Sequence, residues 1–217
     1  GVHSLVCHIE RVRANCGSDY SFWSTPASFA QVQSTGNWYA YVQSCPNNTD
    51  LRNKFVSFSA QDPANASAAS NVIPNVLAAT YANGEVWFFD EDNTTLYKAP
   101  LDNNTKTMGA YETVATNFDG NNNIASMSYN PVDGRIYYIL YTPSQTVKLK
   151  SFAPSSINDV TEIGTFNNYA FSIAIDNNGN AYCTDLMTGN LCQVNLTNAT
   201  TTPVGDLGFS STMPVIA

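Results

Sequence analysis

One hairpin pattern is most complete in the stretch Ile173-Ala174-Ile175-Asp176-Asn177-Asn178-Gly179-Asn180-Ala181-Tyr182-Cys183-Thr184-Asp185. Apolar residues alternate, a turn centred on Gly179 reverses the chain, and a second apolar run follows. This pattern predicts a β-hairpin. Similar stretches surround Gly84 and Gly134, and a looser copy surrounds Gly36. The chain therefore repeats one local structure four times.

The spacing of the copies is nearly constant, since successive turn glycines are 48, 50 and 45 residues apart. An aromatic residue stands three positions after each glycine: Tyr39, Trp87, Tyr137 and Tyr182. Strand-built repeats of roughly 40–50 residues are typical of the four-stranded blades of a β-propeller. We therefore expect an all-β propeller in which these aromatics pack between blades rather than contact a ligand.

The repeat predicts four complete blades within one domain, 1–217. Their limits are about 28–73, 74–119, 123–168 and 169–208. Residues 5–27 and 209–217 resemble parts of a blade, which predicts a fifth, incomplete blade shared between the two termini. A five-bladed ring and a piece of a larger propeller both stay open. Residues 1–4 resemble the end of a secretion leader, but a native N-terminus is the favoured interpretation.

Composition narrows the classes of function. Charged residues make up only 12% of the chain, and Asn, Ser and Thr take their place. Such a neutral, amide- and hydroxyl-rich surface favours an extracellular protein. The net charge of −8 argues against a nucleic-acid partner, and no apolar run approaches the roughly 18 residues of a membrane span.

Cysteines point to the same compartment. Cys183 and Cys192 are placed symmetrically about a hairpin turn, which favours a cross-strand disulfide over two small buried thiols. Such a bond persists in oxidising compartments. Cys7 and Cys45 form a second expected pair. Cys16 is then left over as a free thiol or as a bond to another chain.

N-glycosylation sequons occur at the frequency that chance alone predicts. The acceptors are Asn47, Asn65, Asn93, Asn103, Asn195 and Asn198. Asn47 and Asn93 lie in predicted exposed loops, and they are the best candidates of the six.

The chain offers little for catalysis. It contains two histidines, which argues against a zinc site or a Ser-His-Asp triad. The strongest acidic cluster is Asp90, Glu91 and Asp92, and Asp185 stands at the equivalent place six residues after its turn glycine. These carboxylates would suit calcium or sugar hydroxyls, but turn-forming residues are the favoured interpretation. No cofactor is expected otherwise.

Two aromatics outside the repeat, Trp23 and Phe118, are the expected surface residues for stacking on a ligand.

The repeat and its aromatics resemble the extracellular β-propellers of the NHL-like and YVTN-like group. The resemblance implies a rigid scaffold with loops on two faces. We expect a secreted or cell-surface, non-catalytic adhesion or assembly module that contacts a protein or glycan surface, or that self-assembles through the open blade into an extracellular polymer. A lectin or a calcium-dependent hydrolase that uses the Asp90 and Asp185 face is the alternative.

Overall fold

The computed structural model describes residues 15–16, 19–20, 37–43, 49–59, 62–73, 75–90, 94–120 and 123–208. In these residues the chain is built of β-strands and a single short 3-10 helix, Thr49–Leu51. The expected all-β class is confirmed. No helix in the described ranges is long and apolar enough to cross a membrane.

Two short strands near the N-terminus, β1 (Asn15–Cys16) and β2 (Asp19–Tyr20), pair with each other in antiparallel orientation. The other strands form four antiparallel sheets, here called blades one to four. Blade one contains β3 (Asn37–Val42), β4 (Lys54–Ser59) and β5 (Asp62–Ala68). Blade two contains β6 (Val76–Ala82), β7 (Glu85–Asp90), β8 (Thr95–Asp102) and β10 (Glu112–Ala115), with β9 (Thr107–Met108) also paired to β8.

Blade three contains β11 (Asn123–Asn130), β12 (Arg135–Tyr141), β13 (Val147–Ala153) and β14 (Ser156–Thr165). Blade four contains β15 (Ala170–Ile175), β16 (Ala181–Asp185), β17 (Asn190–Val194) and β18 (Thr201–Asp206). Each sheet falls inside one predicted repeat. The predicted shared blade lies outside the described residues except for β1 and β2, so the fifth blade and the single-domain limits stay predictions.

The turn glycines set the register of the hairpins. Gly84, Gly134 and Gly179 all have positive φ angles, of 90°, 72° and 82°, a region that residues with a Cβ disfavour. As a result the aromatics that follow them pair with equivalent residues of the first strands: Thr80 with Trp87, Ser128 with Tyr137, and Ala174 with Tyr182.

The hydrophobic core lies between successive blades rather than within one sheet. Tyr39, Trp87 and Tyr137 are buried, each in a different inter-blade cluster, whereas Tyr182 is half-buried. The expected packing role is confirmed for the first three aromatics. The blades therefore stack face to face, as in a propeller.

Hydroxyl groups join the first strands of neighbouring blades. The backbone N–H of Tyr129 donates to Thr80 Oγ1 at 2.9 Å, and that of Ile175 donates to Ser128 Oγ at 3.0 Å. Thr80 and Ser128 occupy the same repeat position. A further bond of this kind runs from the Ile173 N–H to Ser126 Oγ at 3.1 Å. These bonds connect the first strands of blades two and three and of blades three and four.

Candidate functional site

Asp185 is buried, at 7% exposure, and it closes the turn between β16 and β17. Its Oδ1 accepts the Met187 N–H at 3.0 Å, and its Oδ2 accepts the Thr188 hydroxyl at 2.8 Å. Both carboxylate oxygens are therefore engaged by the turn itself. This is the turn-forming role that the sequence favours for this aspartate.

Asp90 ends β7 at the equivalent register position, and its side chain is half-buried. Blade three lies between blades two and four, and it carries the buried Leu140 at this position, paired with Ile124 as Asp90 is with Val76. The two aspartates are thus separated by an apolar side chain of the intervening blade. Glu91 and Asp92 lie outside the described residues.

A calcium site gains no support from this arrangement. Within the described ranges no three His, Cys, Asp or Glu side chains are grouped as metal ligands would be. Ca²⁺ takes six to eight oxygen ligands in proteins. Calcium at the Asp90 and Asp185 face therefore stays a prediction.

Phe118 is not a surface residue, and the expectation that it stacks on a ligand is wrong. Its side chain is 5% exposed and fills the space between blades two and three, with ring centroids 5.7 Å from Tyr138 and 5.3 Å from Phe152. The connection between the blades folds back over the core because this ring removes apolar area from water. Trp23 lies outside the described residues.

A charged network that the sequence did not reveal surrounds the next residue, Asp119. Its Oδ1 is 2.8 Å from Lys150 Nζ, and its Oδ2 accepts the Tyr138 hydroxyl at 2.8 Å. Burial, reinforced by the nearby Asp119 charge, raises the pKa of Tyr138, so the phenol stays protonated and donates. The network joins the connection after blade two to the middle strands of blade three.

A row of aromatic side chains runs from the core to the surface at the interface between blades one and two. We call it the aromatic row, and its members are Tyr41, Phe55, Phe88, Tyr97 and Tyr111. Successive ring centroids are 5.3, 5.7, 5.3 and 5.3 Å apart. The row runs from buried rings of blade one to a Tyr111 side chain that is 48% exposed.

The segment that carries Tyr111 is hydrogen-bonded to blade one and to blade two. The Met108 N–H donates to the Ala69 carbonyl of blade one at 2.7 Å, and the Gly109 N–H donates to the Pro100 carbonyl at 2.9 Å. The Tyr111 ring meets Tyr97 nearly at right angles, at 84°, and also contacts Phe88 edge-on. These bonds and ring contacts support Tyr111, although it is 48% exposed.

The predicted placement of two cysteines opposite each other on adjacent strands is confirmed. Cys183 and Cys192 are direct cross-strand partners, and both are 2% exposed. The structure holds them as two thiols, and burial raises the pKa of Cys183 to about 12. The Asn168 side-chain amide donates to Cys192 Sγ at 3.6 Å. The disulfide itself stays a prediction.

The predictions for the remaining cysteines and for two of the sequons are not tested by the described residues. Cys7 and Cys45 lie outside the described residues, and Cys16 is described only in its backbone, as part of β1. Asn47 and Asn93 also lie outside the described residues. The other four sequon asparagines, at positions 65, 103, 195 and 198, are all exposed.

Comparison with solved structures identifies the architecture. TolB from Acinetobacter baumannii superposes with a TM-score of 0.56 over 81% of this chain and 43% of that chain, at 14% sequence identity. The fold is that of a β-propeller. Weaker similarities are found to a chain of a nidogen/laminin complex and to a gluconolactonase from Xanthomonas campestris, with TM-scores of 0.48 and identities of 13% and 12%.

Each of these similarities covers only part of the other protein. The two weaker ones extend over 66% and 70% of this chain, and over 52% and 54% of those chains, so the chain spans about half the length of each neighbour. No family model matches the sequence, and no curated protein matches it. At these identities the likeness establishes the fold alone.

Proposed function

We propose that this chain is a non-catalytic, extracellular propeller module whose main contact with a protein or glycan surface is made by Tyr111. The aromatic row is the observation that carries the proposal. It places a half-exposed ring at the rim and supports it with buried rings from two blades.

An aromatic presented in this way suits recognition. Tyrosine offers a large apolar ring with a hydroxyl at its tip, and it has few rotatable bonds to immobilise on binding. The contacts with Tyr97 and Phe88 fix the ring in advance, which lowers the entropy cost of binding further. The two perpendicular tyrosines form a corner that would accept a ring with an apolar C–H face, such as a pyranose or a proline.

Three of the described acidic residues serve the fold, which supports a non-catalytic role. Asp185 closes its turn, and Asp119 is paired with Lys150. Asp176 Oδ1 accepts the N–H groups of Asn178 and Asn180, and bonds to Asn180 lower the pKa of its carboxyl. A paired-carboxylate hydrolase instead needs two acids that face one cleft.

The extracellular location is supported by the surface chemistry. Few charges and many amides and hydroxyls give a surface that is hydrated without being highly charged. The acidic balance, with a pI near 4.4, would weaken binding to anionic polymers. The surface therefore favours neutral glycans and proteins as partners over anionic polymers.

The test compares the unmodified chain with Tyr111→Ala on an array of defined glycans, and measures self-association of both by light scattering. We expect binding to one probe class to fall at least tenfold in Tyr111→Ala. Tyr111→Phe should keep most of the binding, because it keeps the ring. Val204→Ala is the matched control, since Val204 is also exposed, at 58%, but lies on β18 of blade four.

Two outcomes would overturn the proposal. In one, binding survives Tyr111→Ala unchanged. In the other, the chain neither binds any probe nor self-associates at concentrations up to about 100 μM, far above the Kd expected of a specific surface contact. Unfolding curves of all variants show whether a loss of binding reflects loss of the fold.

A further inference from the structure

Two N-glycosylation sequons follow each other directly in the turn between β17 and β18. They are Asn195-Leu196-Thr197 and Asn198-Ala199-Thr200. The turn is closed by the Asn195 N–H, which donates to the Thr200 carbonyl at 2.8 Å, and by the Ala199 N–H, which donates to the Asn195 carbonyl at 2.9 Å. Ala199 is fully buried, so the turn is anchored to the core while its asparagines are exposed.

The two sequons share one geometry. Asn195 Oδ1 accepts the Thr197 N–H at 2.9 Å and the Thr197 hydroxyl at 2.7 Å. Asn198 Oδ1 accepts the Thr200 N–H at 3.0 Å and the Thr200 hydroxyl at 2.8 Å. In each case the side-chain oxygen is turned toward the backbone, and Nδ2 makes no hydrogen bond to a described residue.

The other described sequons differ at this atom. Asn65 lies in β5, and its Nδ2 donates to the Asp62 carboxylate at 2.6 Å. Asn103 Nδ2 is 3.4 Å from the Tyr81 hydroxyl. The amide nitrogen, which is the atom that glycosylation modifies, is thus engaged at positions 65 and 103 and available at 195 and 198.

We propose that the turn Asn195–Thr200 is the N-glycan attachment site of the described chain. The donor is a lipid-linked oligosaccharide diphosphate. A bond forms between Nδ2 and the anomeric carbon of the first sugar, the bond from that carbon to the diphosphate oxygen breaks, the lipid diphosphate leaves, and Nδ2 gives up one proton to a base of the transferase. No oxidant or reductant is required.

The turn accepts one glycan per chain. The Asn198 N–H approaches the Asn195 carbonyl at 3.4 Å, so the two side chains leave from the same tight turn, and a branched oligosaccharide on one asparagine blocks access to the other. Asn198 is also confined on its backbone side, since its carbonyl packs directly over Gly164 of β14. Either asparagine can serve when the other is absent.

The glycan would cover part of an exposed edge strand. β18 is the last strand of its sheet, and Val204 and Leu207 expose apolar side chains at and just beyond it. Exposed edge strands invite pairing with other chains, and bulky polar groups beside them oppose it. The turn also lies at the opposite end of blade four from Asp185, so it leaves that face open.

The inference shares only the extracellular location with the proposed function, and the experiment fixes that location by supplying a secretion leader in a eukaryotic host. The full chain is secreted with a reporter sequon in its tag. Enzymatic deglycosylation converts a modified Asn to Asp, and peptide mapping then reads the occupancy of each site. We expect most of the peptide that spans 195–200 to carry one glycan, at a higher occupancy than Asn65 or Asn103.

Variants separate this turn from the rest of the chain. Asn195→Gln and Asn198→Gln should each keep one glycan in the turn, and the double variant should keep none. Thr197→Ser with Thr200→Ser keeps both sequons and both hydroxyls, and is the matched control that should stay modified. An unmodified turn in protein whose reporter sequon is occupied would overturn the proposal, as would two glycans on most copies of the turn. Neither result depends on Tyr111.

Discussion

The interface between blades one and two and the interface between blades three and four use the same repeat position for different purposes. The residue four positions after the turn glycine is Phe88 in blade two and Cys183 in blade four, and both are buried against the preceding blade. Phe88 continues the aromatic row toward an exposed Tyr111. Cys183 instead faces the Cys192 thiol.

The comparison shows that the repeat determines burial, whereas the side chain determines what an interface can do. Blade three gives a third solution, because Tyr138 at this position donates to Asp119. In the part of the chain that the structure describes, the first interface extends its ring packing to Tyr111, which is 48% exposed and can be reached by a partner. Function is therefore expected at the rim of blades one and two.

The largest effect is expected when the aromatic row is interrupted. Phe88→Ala removes a fully buried ring with three ring neighbours and should lower the free energy of unfolding by about 3–5 kcal/mol, as measured by urea denaturation. Phe88→Leu keeps most of the apolar volume and should cost about 1–1.5 kcal/mol. Equal losses in the two variants would contradict the packing role.

The second-largest effect is expected at the interface between blades two and three. Lys150→Met leaves Asp119 without its cation, and both side chains are only 14% exposed. Since an uncompensated buried charge is costly, we expect a loss of about 2–3 kcal/mol in the free energy of unfolding. The double variant Asp119→Asn, Lys150→Met should recover at least half of it. A double variant no more stable than Lys150→Met would show that the ion pair is not the cause.

The third effect concerns oxidation of the thiol that blade four carries where blade two carries Phe88. Oxidation should join Cys183 to Cys192, because the two residues pair directly across adjacent strands. Closing this short loop should stabilise the fold by about 2–3 kcal/mol, which urea denaturation with and without reductant would measure. Cys192→Ala should remove the dependence on reductant. If both thiols still react with maleimide after oxidation and unfolding, the bond does not form.

The smallest effect concerns the hydroxyls between the first strands. Ser128→Ala leaves the Ile175 N–H without its acceptor, and we expect a loss of about 1 kcal/mol. Ser128→Thr keeps the hydroxyl and is the control. Blade four carries Ala174 at this position. A neutral Ser128→Ala would contradict this expectation, and would mean that the bond to Ser128 does not contribute to holding blade three on blade four.

Most of the fold could be predicted from the sequence because its signals are local. Alternating apolar residues and a turn glycine at Gly84, Gly134 or Gly179 define each hairpin within about a dozen residues, and a nearly constant period orders the hairpins. The symmetric spacing of Cys183 and Cys192 predicted their pairing in the same way. These features need no knowledge of contacts between distant segments.

The candidate site could not be predicted, since it depends on distant contacts. Phe88, Tyr97 and Tyr111 lie on different strands and loops, and only the packing of blade one on blade two brings their rings into one row. Phe118 was expected at the surface because it lies outside the repeat, yet its connection folds back onto the core. Asp119 meets Lys150 for the same reason. Position within a repeat predicts burial, but position outside it predicts neither burial nor exposure.

The central claim is that the aromatic row holds Tyr111 in a fixed position at the rim, and the most direct test is the backbone order parameter of Tyr111 from NMR relaxation. We predict a value of about 0.85, equal to that of the neighbouring strands β8 and β10. A value below about 0.6 would mean that the segment moves freely on the picosecond to nanosecond timescale. That result would contradict a preformed contact surface at blades one and two.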